Sequence, residues 1–185
     1  MGATEELVNE HRSIERMLAV LDAAAQRLEG GQRVRPNLLR EAVDFTQNFT
    51  DRCHHGKEEG TLFARLEARG IPRDGGPIGM MLSEHDEGRR FVGGIAENID
   101  AYDGGDEAAA RAIAQNARGY VGLLRDHIKK EENILFPAAE QILAENVLEE
   151  VAKGFAKVEQ EVMGSGVRER YEAMLDSLQK EMELS

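Results

Sequence analysis

The chain has no tryptophan, a single cysteine, four prolines and only 5% aromatic residues. One thiol, Cys53, excludes an internal disulfide and points to a reducing compartment, so a cytoplasmic location is expected. So few prolines, and so little alternation of strand formers with polar residues, argue against a sheet. Plentiful Ala, Leu, Glu and Arg predict an all-α chain instead. Basic residues are also in deficit: 23 Lys and Arg stand against 35 Asp and Glu, a net charge of −12. That balance argues against nucleic acid, whose phosphates are held by clustered Lys and Arg, and against an anionic membrane surface. No apolar run approaches the ~18 residues of a spanning helix, and the acidic start carries no signal-peptide pattern. At 185 residues the chain fits one domain, or one domain with an appendage, as a monomer or a specific homodimer.

What is there is helical periodicity. The first stretch, from about Thr4 to Glu29, has a seam of Leu7, Ile14, Leu18, Leu21, Ala25 and Leu28, with Thr4 as its expected N-cap. The second, about Asn37 to Ala68, has a wide stripe to which no single register fits. The third, about Ile78 to Tyr102, carries Met81, Leu82, Val92, Ile95 and Ile99. The fourth, about Glu107 to Asn146, carries Ile113, Ala117, Tyr120, Leu124, Ile134 and Ala138, with a kink or terminating turn expected at Pro137. Four such stretches joined by Gly-rich breaks predict an up-down-up-down four-helix bundle over 1–146. The extension 147–185 holds two more helical pieces, and its seam of Val167, Tyr171, Met174, Leu178 and Met182 must bury itself on the bundle or on a partner chain.

The five histidines sit tellingly. His11, His54, His85 and His127 each fall in the apolar face of a different predicted helix. Glu58 follows His54 by four residues and Glu131 follows His127 by four, so each pair shares one helical face. The two neighbourhoods repeat each other, from His54 to Phe63 and from His127 to Phe136, each ending in Leu-Phe. Aligning those Leu-Phe pairs selects His54 over His55, which reads as exposed or else as a group that supports a ligand, and Glu58 over Glu59. A buried unpaired carboxylate costs several kcal/mol. Two of them among four histidines ask for cations, and the nitrogen–oxygen donor set suits iron or manganese, with zinc possible.

This pattern of His11, His54 with Glu58, His85, and His127 with Glu131 resembles the hemerythrin-like family, the HHE cation-binding domain, over about Thr4 to Ala144. The resemblance implies a bundle around a non-haem di-iron centre, an oxo- or hydroxo-bridged pair with bridging glutamates and terminal histidines. It also shows departures. Oxygen carriers of that family place two histidines four apart on the third helix, whereas His85 has Met81 and Arg89 at that spacing. The second carboxylate follows its histidine by four residues rather than five. The sequence thus offers one nitrogen ligand fewer, which favours reaction with peroxide, oxygen or nitric oxide over reversible oxygen carriage.

Tyr120, two turns before His127, is a candidate catalytic phenol, and Glu84 and Asp86 are candidates to orient ligands. Cys53 reads as a structural thiol. The expected partner is a small diatomic ligand or peroxide. The alternative is a sensing or iron-binding module without turnover, reporting through the C-terminal helices. Iron donation to damaged iron centres ranks lower, because the cysteine-bearing N-terminal extension of some family members is not in this sequence.

Overall fold

The computed structural model describes residues 2–184, which are helical with no strand among them. Six helices follow in order: α1 (Ala3–Glu29), α2 (36–67), α3 (Gly76–Asp103), α4 (107–142), α5 (Glu145–Val162) and α6 (Val167–Glu181). The first four form the bundle, with α4 against α1 and α3, and α2 against α3. Among the described residues no helix is long and apolar enough to cross a membrane.

Two helices are not α-helical throughout. α2 is α-helical over Pro36–Phe45, π-helical over Thr46–His55 and Glu58–Leu62, and α-helical again over Phe63–Glu67. α4 is α-helical over Glu107–Lys130, π-helical over Glu131–Leu135 and α-helical over Phe136–Ile142. A π turn bonds i to i+5, so it holds more residues than an α turn and rotates everything beyond it about the axis. That rotation is why no single register fits α2. It also turns Ile134 out: expected in the seam, it is 63% exposed, while Leu135 is buried. Pro137, which lacks an N–H, follows this π segment, so the chain passes it without ending the helix; α4 ends only at Ile142 and α5 begins at Glu145. The N-cap of α1 is Gly2 rather than Thr4, which lies buried inside the first turn and donates its hydroxyl proton to Glu140.

The core is split in two. One apolar cluster runs from Ile14, Leu18 and Leu21 through Phe45 and Phe49 to Val92, Ile95 and Leu124. The other gathers Leu7, Leu62, Phe63, Ile78, Met81, Leu135 and Phe136. On all four bundle helices the histidines fall between these clusters, so a polar layer crosses the bundle where apolar packing stops on both sides. The C-terminal helices lie against α1 and α2 and span the same layer. Val151 and Phe155 of α5 join the second cluster, and Tyr171, Leu175 and Leu178 of α6 join the first. The seam of the extension is thus buried on its own bundle.

Candidate metal centre

The structure brings His11, His54, Glu58, His85, His127 and Glu131 into one buried layer, each no more than 1% exposed. Glu58 turns Oε1 to His54 Nε2 at 3.4 Å and Oε2 to His85 Nε2 at 3.5 Å. Glu131 turns Oε1 to His127 Nε2 at 3.3 Å and Oε2 to His11 Nε2 at 3.2 Å. Each carboxylate therefore reaches from the His11 and His54 side to the His85 and His127 side.

A seventh residue joins them. His55, expected on the exposed face, is 3% exposed. Its ring stacks on that of His85 at 3.8 Å and 10°. The π-helical turns explain the correction: their looser winding lets two consecutive side chains both enter the core, where an α-helix would splay them ~100° apart. The count of inward histidines is five, so the deficit inferred from the third helix is made good from the second. The sequence signal was the His54-His55 pair itself, set aside when the Leu-Phe alignment admitted only one of them.

Donor atoms collect into two groups within 4.8 Å: His11, His54, Glu58 and Glu131 in one, and His55, Glu58, His85 and His127 in the other. Cations fit them. The buried side-chain atoms without a hydrogen-bond partner include all four oxygens of Glu58 and Glu131 and Nε2 of His11 and His55, with Thr50 Oγ1 the only other among the described residues. His85 Nε2 and His127 Nε2 face each other at 3.1 Å. Two lone pairs so close repel unless a proton or a cation lies between them. Burial, and then the neighbouring Glu131 carboxylate, hold the Glu58 carboxyl well above the usual range. A divalent ion would satisfy all these groups together.

Behind each ring stands a carboxylate. His11 Nδ1 donates to Glu132 (3.0 Å), His54 Nδ1 to Glu10 (2.9 Å), His85 Nδ1 to Glu59 (2.8 Å) and His127 Nδ1 to Glu84 (2.9 Å). His55 Nδ1 lies 3.4 Å from Asp51. A proton on Nδ1 turns Nε2 toward the centre, where its lone pair can bind a metal; in the metal-free protein at neutral pH His127 holds a proton on Nε2 as well. Each carboxylate is held in turn by a cation: Glu132 by Arg12, Glu10 by Lys57 and Arg168, Glu59 and Asp51 by Arg89, and Glu84 by Lys130. Glu84 thus serves His127 rather than its neighbour His85, and Asp86 only pairs with Arg89. Sequence reading missed Glu10, Glu59 and Glu132, although the repeated Glu-Glu dipeptides (58–59 and 131–132) signalled two of them. In each dipeptide the first acid points inward and the second supports a histidine from another helix.

Glu10, Cys53 and Glu159 also lie close enough to one another to suggest a cation site. Lys57 and Arg168 already neutralise both acids there, and burial pushes the Cys53 thiol up to about 12, so no thiolate is on offer. A pocket of about 450 Å³ opens from solvent onto His55, His85 and Tyr120, past Asp51, Arg52 and Arg89. Burial raises the Tyr120 phenol above its ordinary range, so it stays protonated.

The sequence pattern of the family described as Hemerythrin HHE cation binding domain matches residues 2–139. An uncharacterized protein of Mycobacterium tuberculosis is 24% identical over 162 residues, 88% of this chain and 63% of its own length. The iron-sulfur cluster repair protein YtfE of Escherichia coli is 34% identical over 88 residues, 46% of this chain and 40% of that protein. The YtfE of Salmonella paratyphi B is 29% identical over 138 residues, 72% of this chain and 62% of that protein. The chain therefore spans less than two thirds of the length of these relatives. No solved structure matches it.

Proposed function

The chain belongs to the hemerythrin HHE cation-binding domain family, and from that premise we propose that it holds two iron ions and uses them to bind and react with a small oxidant: oxygen, peroxide or nitric oxide. The observation that carries this reading is the span of Glu58 and Glu131, each with one oxygen toward each group of histidines. His11 and His54 would serve one ion, and His55, His85 and His127 the other. When bound, the iron pair would supply a Lewis acid and a store of electrons.

The chain's own residues prepare that chemistry. Two apolar clusters above and below the layer keep bulk water out and strengthen every charge within it. The carboxylates at Nδ1 fix ring direction and tautomer. The pocket beside His55 and His85 admits a small molecule, and its Tyr120 hydroxyl keeps a proton available to one. The test is to load the protein with iron anaerobically and record visible spectra before and after peroxide, oxygen or nitric oxide. A changed spectrum with consumption of the oxidant supports the reading, and an inert spectrum with all three would remove it.

The likeness to YtfE favours a second reading, iron donation to a damaged cluster. Transfer of bound iron to an apo iron–sulfur acceptor, faster than chelator-limited release, would favour it.

A further inference from the structure

The carboxylates behind the histidines are not supported alike. Glu132, Glu59 and Glu84 belong to the bundle and are held by cations of the bundle. Glu10 is 1% exposed and is held by Lys57 of the bundle and also from outside it, by Arg168. Its Oε2 accepts from His54 Nδ1, while its Oε1 accepts from Lys57 Nζ at 2.5 Å and from Arg168 of α6 at 2.5 Å. Lys57 is 0% exposed, a rare place for an ammonium unless it is paired on every side. It also donates to Glu6 at 2.7 Å and to Glu159 of α5 at 2.9 Å. Glu159 in turn takes both Nε and a terminal nitrogen of Arg168, at 2.9 and 2.8 Å.

The turn between α5 and α6 makes this possible. Gly164 and Gly166 adopt φ of +74° and +78°, conformations that side chains disfavour, and they reverse the chain so that Arg168 returns to Glu159. Above and below the pair, Phe155 and Tyr171 anchor the two helices in the two cores. The C-terminal helices thus bring one cation and one anion to the level of the polar layer, Arg168 two hydrogen bonds and Glu159 three behind a histidine of the centre.

We propose that Glu159 and Arg168 are positioning residues that set, through Glu10, how strongly the His11 and His54 half of the centre holds a cation. This rests on the reading that the layer binds cations. Arg168 and Lys57 draw charge from Glu10 and so weaken its pull on the His54 proton. Glu159 competes with Glu10 for the same two cations and gives that charge back. Loss of Glu159 leaves Arg168 to Glu10 and Lys57 to Glu10 and Glu6, makes His54 a poorer donor and adds positive potential at the centre. Loss of Arg168 does the reverse. The two neighbours therefore act with opposite signs, whereas a pair that merely glued the helices down would weaken binding whichever member was lost.

The experiment is an anaerobic Co(II) titration of the full-length protein, read by the visible bands of bound cobalt, with metal analysis of the saturated protein. Glu159→Gln is expected to raise the half-saturating cobalt concentration by about fivefold, and Arg168→Gln to lower it by about the same factor. The double variant is expected close to wild type. Glu6→Gln, which removes another acceptor of Lys57 at the surface, is expected to follow Glu159→Gln and serves as a further test should Arg168→Gln not fold. Shifts of the same sign in the Glu159 and Arg168 variants, or no shift in Glu159→Gln and Glu6→Gln, would overturn the proposal while two-cobalt uptake by wild type left the centre standing. Wild-type protein that takes up no cobalt would overturn the centre itself, and this inference with it.

Discussion

His54 and His127 occupy equivalent places in a repeated motif, yet their surroundings drive them in opposite directions. Burial, with Glu10 only partly opposing it, lowers His54 to about 4. Burial also acts on His127, but Glu131 and Glu84 outweigh it and lift His127 to about 9. The first reason is the inner acid: Glu131 stays charged beside His127, whereas Glu58 beside His54 is held well above the usual carboxylate range, and the supporting acids add to the difference. Glu10 is already neutralised by Lys57 and Arg168, whereas Glu84 has only Lys130. The motif next to each also differs. Position 55 is a histidine facing the centre, and the aligned position 128 is an isoleucine buried in the apolar core. The same short pattern thus builds a nitrogen-rich half and a nitrogen-poor half, and the neighbours, not the motif, decide the charge of each.

Removing the shared carboxylates should break this arrangement most completely. Glu58→Gln or Glu131→Gln replaces one of the two oxygens with an amide nitrogen that does not ligate and removes the negative charge both halves share, and metal analysis after iron loading should fall from about two per chain to below one. In the metal-free protein Glu58→Gln should instead raise stability in urea, because an uncompensated buried acid is gone. Replacing the extra nitrogen is narrower in effect. His55→Leu should weaken one of two binding events by about tenfold or more in a cobalt titration and leave the other in place.

The opposed histidines also predict the pH profile of the metal-free protein. His127 is raised, so its contribution is full below about 6.5 and is lost as pH climbs toward about 9; this is about 3 kcal/mol. His54 is depressed, so its contribution is full above about 6.5 and is lost as pH falls toward about 4, a similar amount. Urea unfolding should therefore show greatest stability near neutrality, with His127→Gln flattening the alkaline side and His54→Gln the acid side. A smaller effect is expected away from the layer. A Cβ added at Gly154 would lie 2.6 Å from Thr61 Cγ2, so Gly154→Ala should lower stability by about 1–3 kcal/mol while leaving cation stoichiometry intact.

Much of this was legible in the residues. The seams of α1 and α3 keep one α-helical period from end to end, and His11 and His85 fell where those seams put them. α2 and α4 change winding at the site itself, so a fixed period misread exactly the segments that carry the repeated motif. The change of winding turns Ile134 out to solvent and brings His55 into the core beside His54, which neither a fixed period nor the alignment of the Leu-Phe pairs anticipates. The acids behind the histidines come from other helices in nearly every case, and no local pattern announces such a partner. The reach of Arg168 to Glu10 depends on how α5 and α6 settle on two separate cores, which their own seam does not specify.

Iron content decides most directly whether Glu58 and Glu131 bridge a cation pair. Anaerobic loading with ferrous iron, removal of the excess, metal analysis and a visible spectrum after oxidation make the measurement. About two irons per chain, with the charge-transfer bands of a bridged ferric pair, is the expected result. A single iron without those bands, or none, would contradict it.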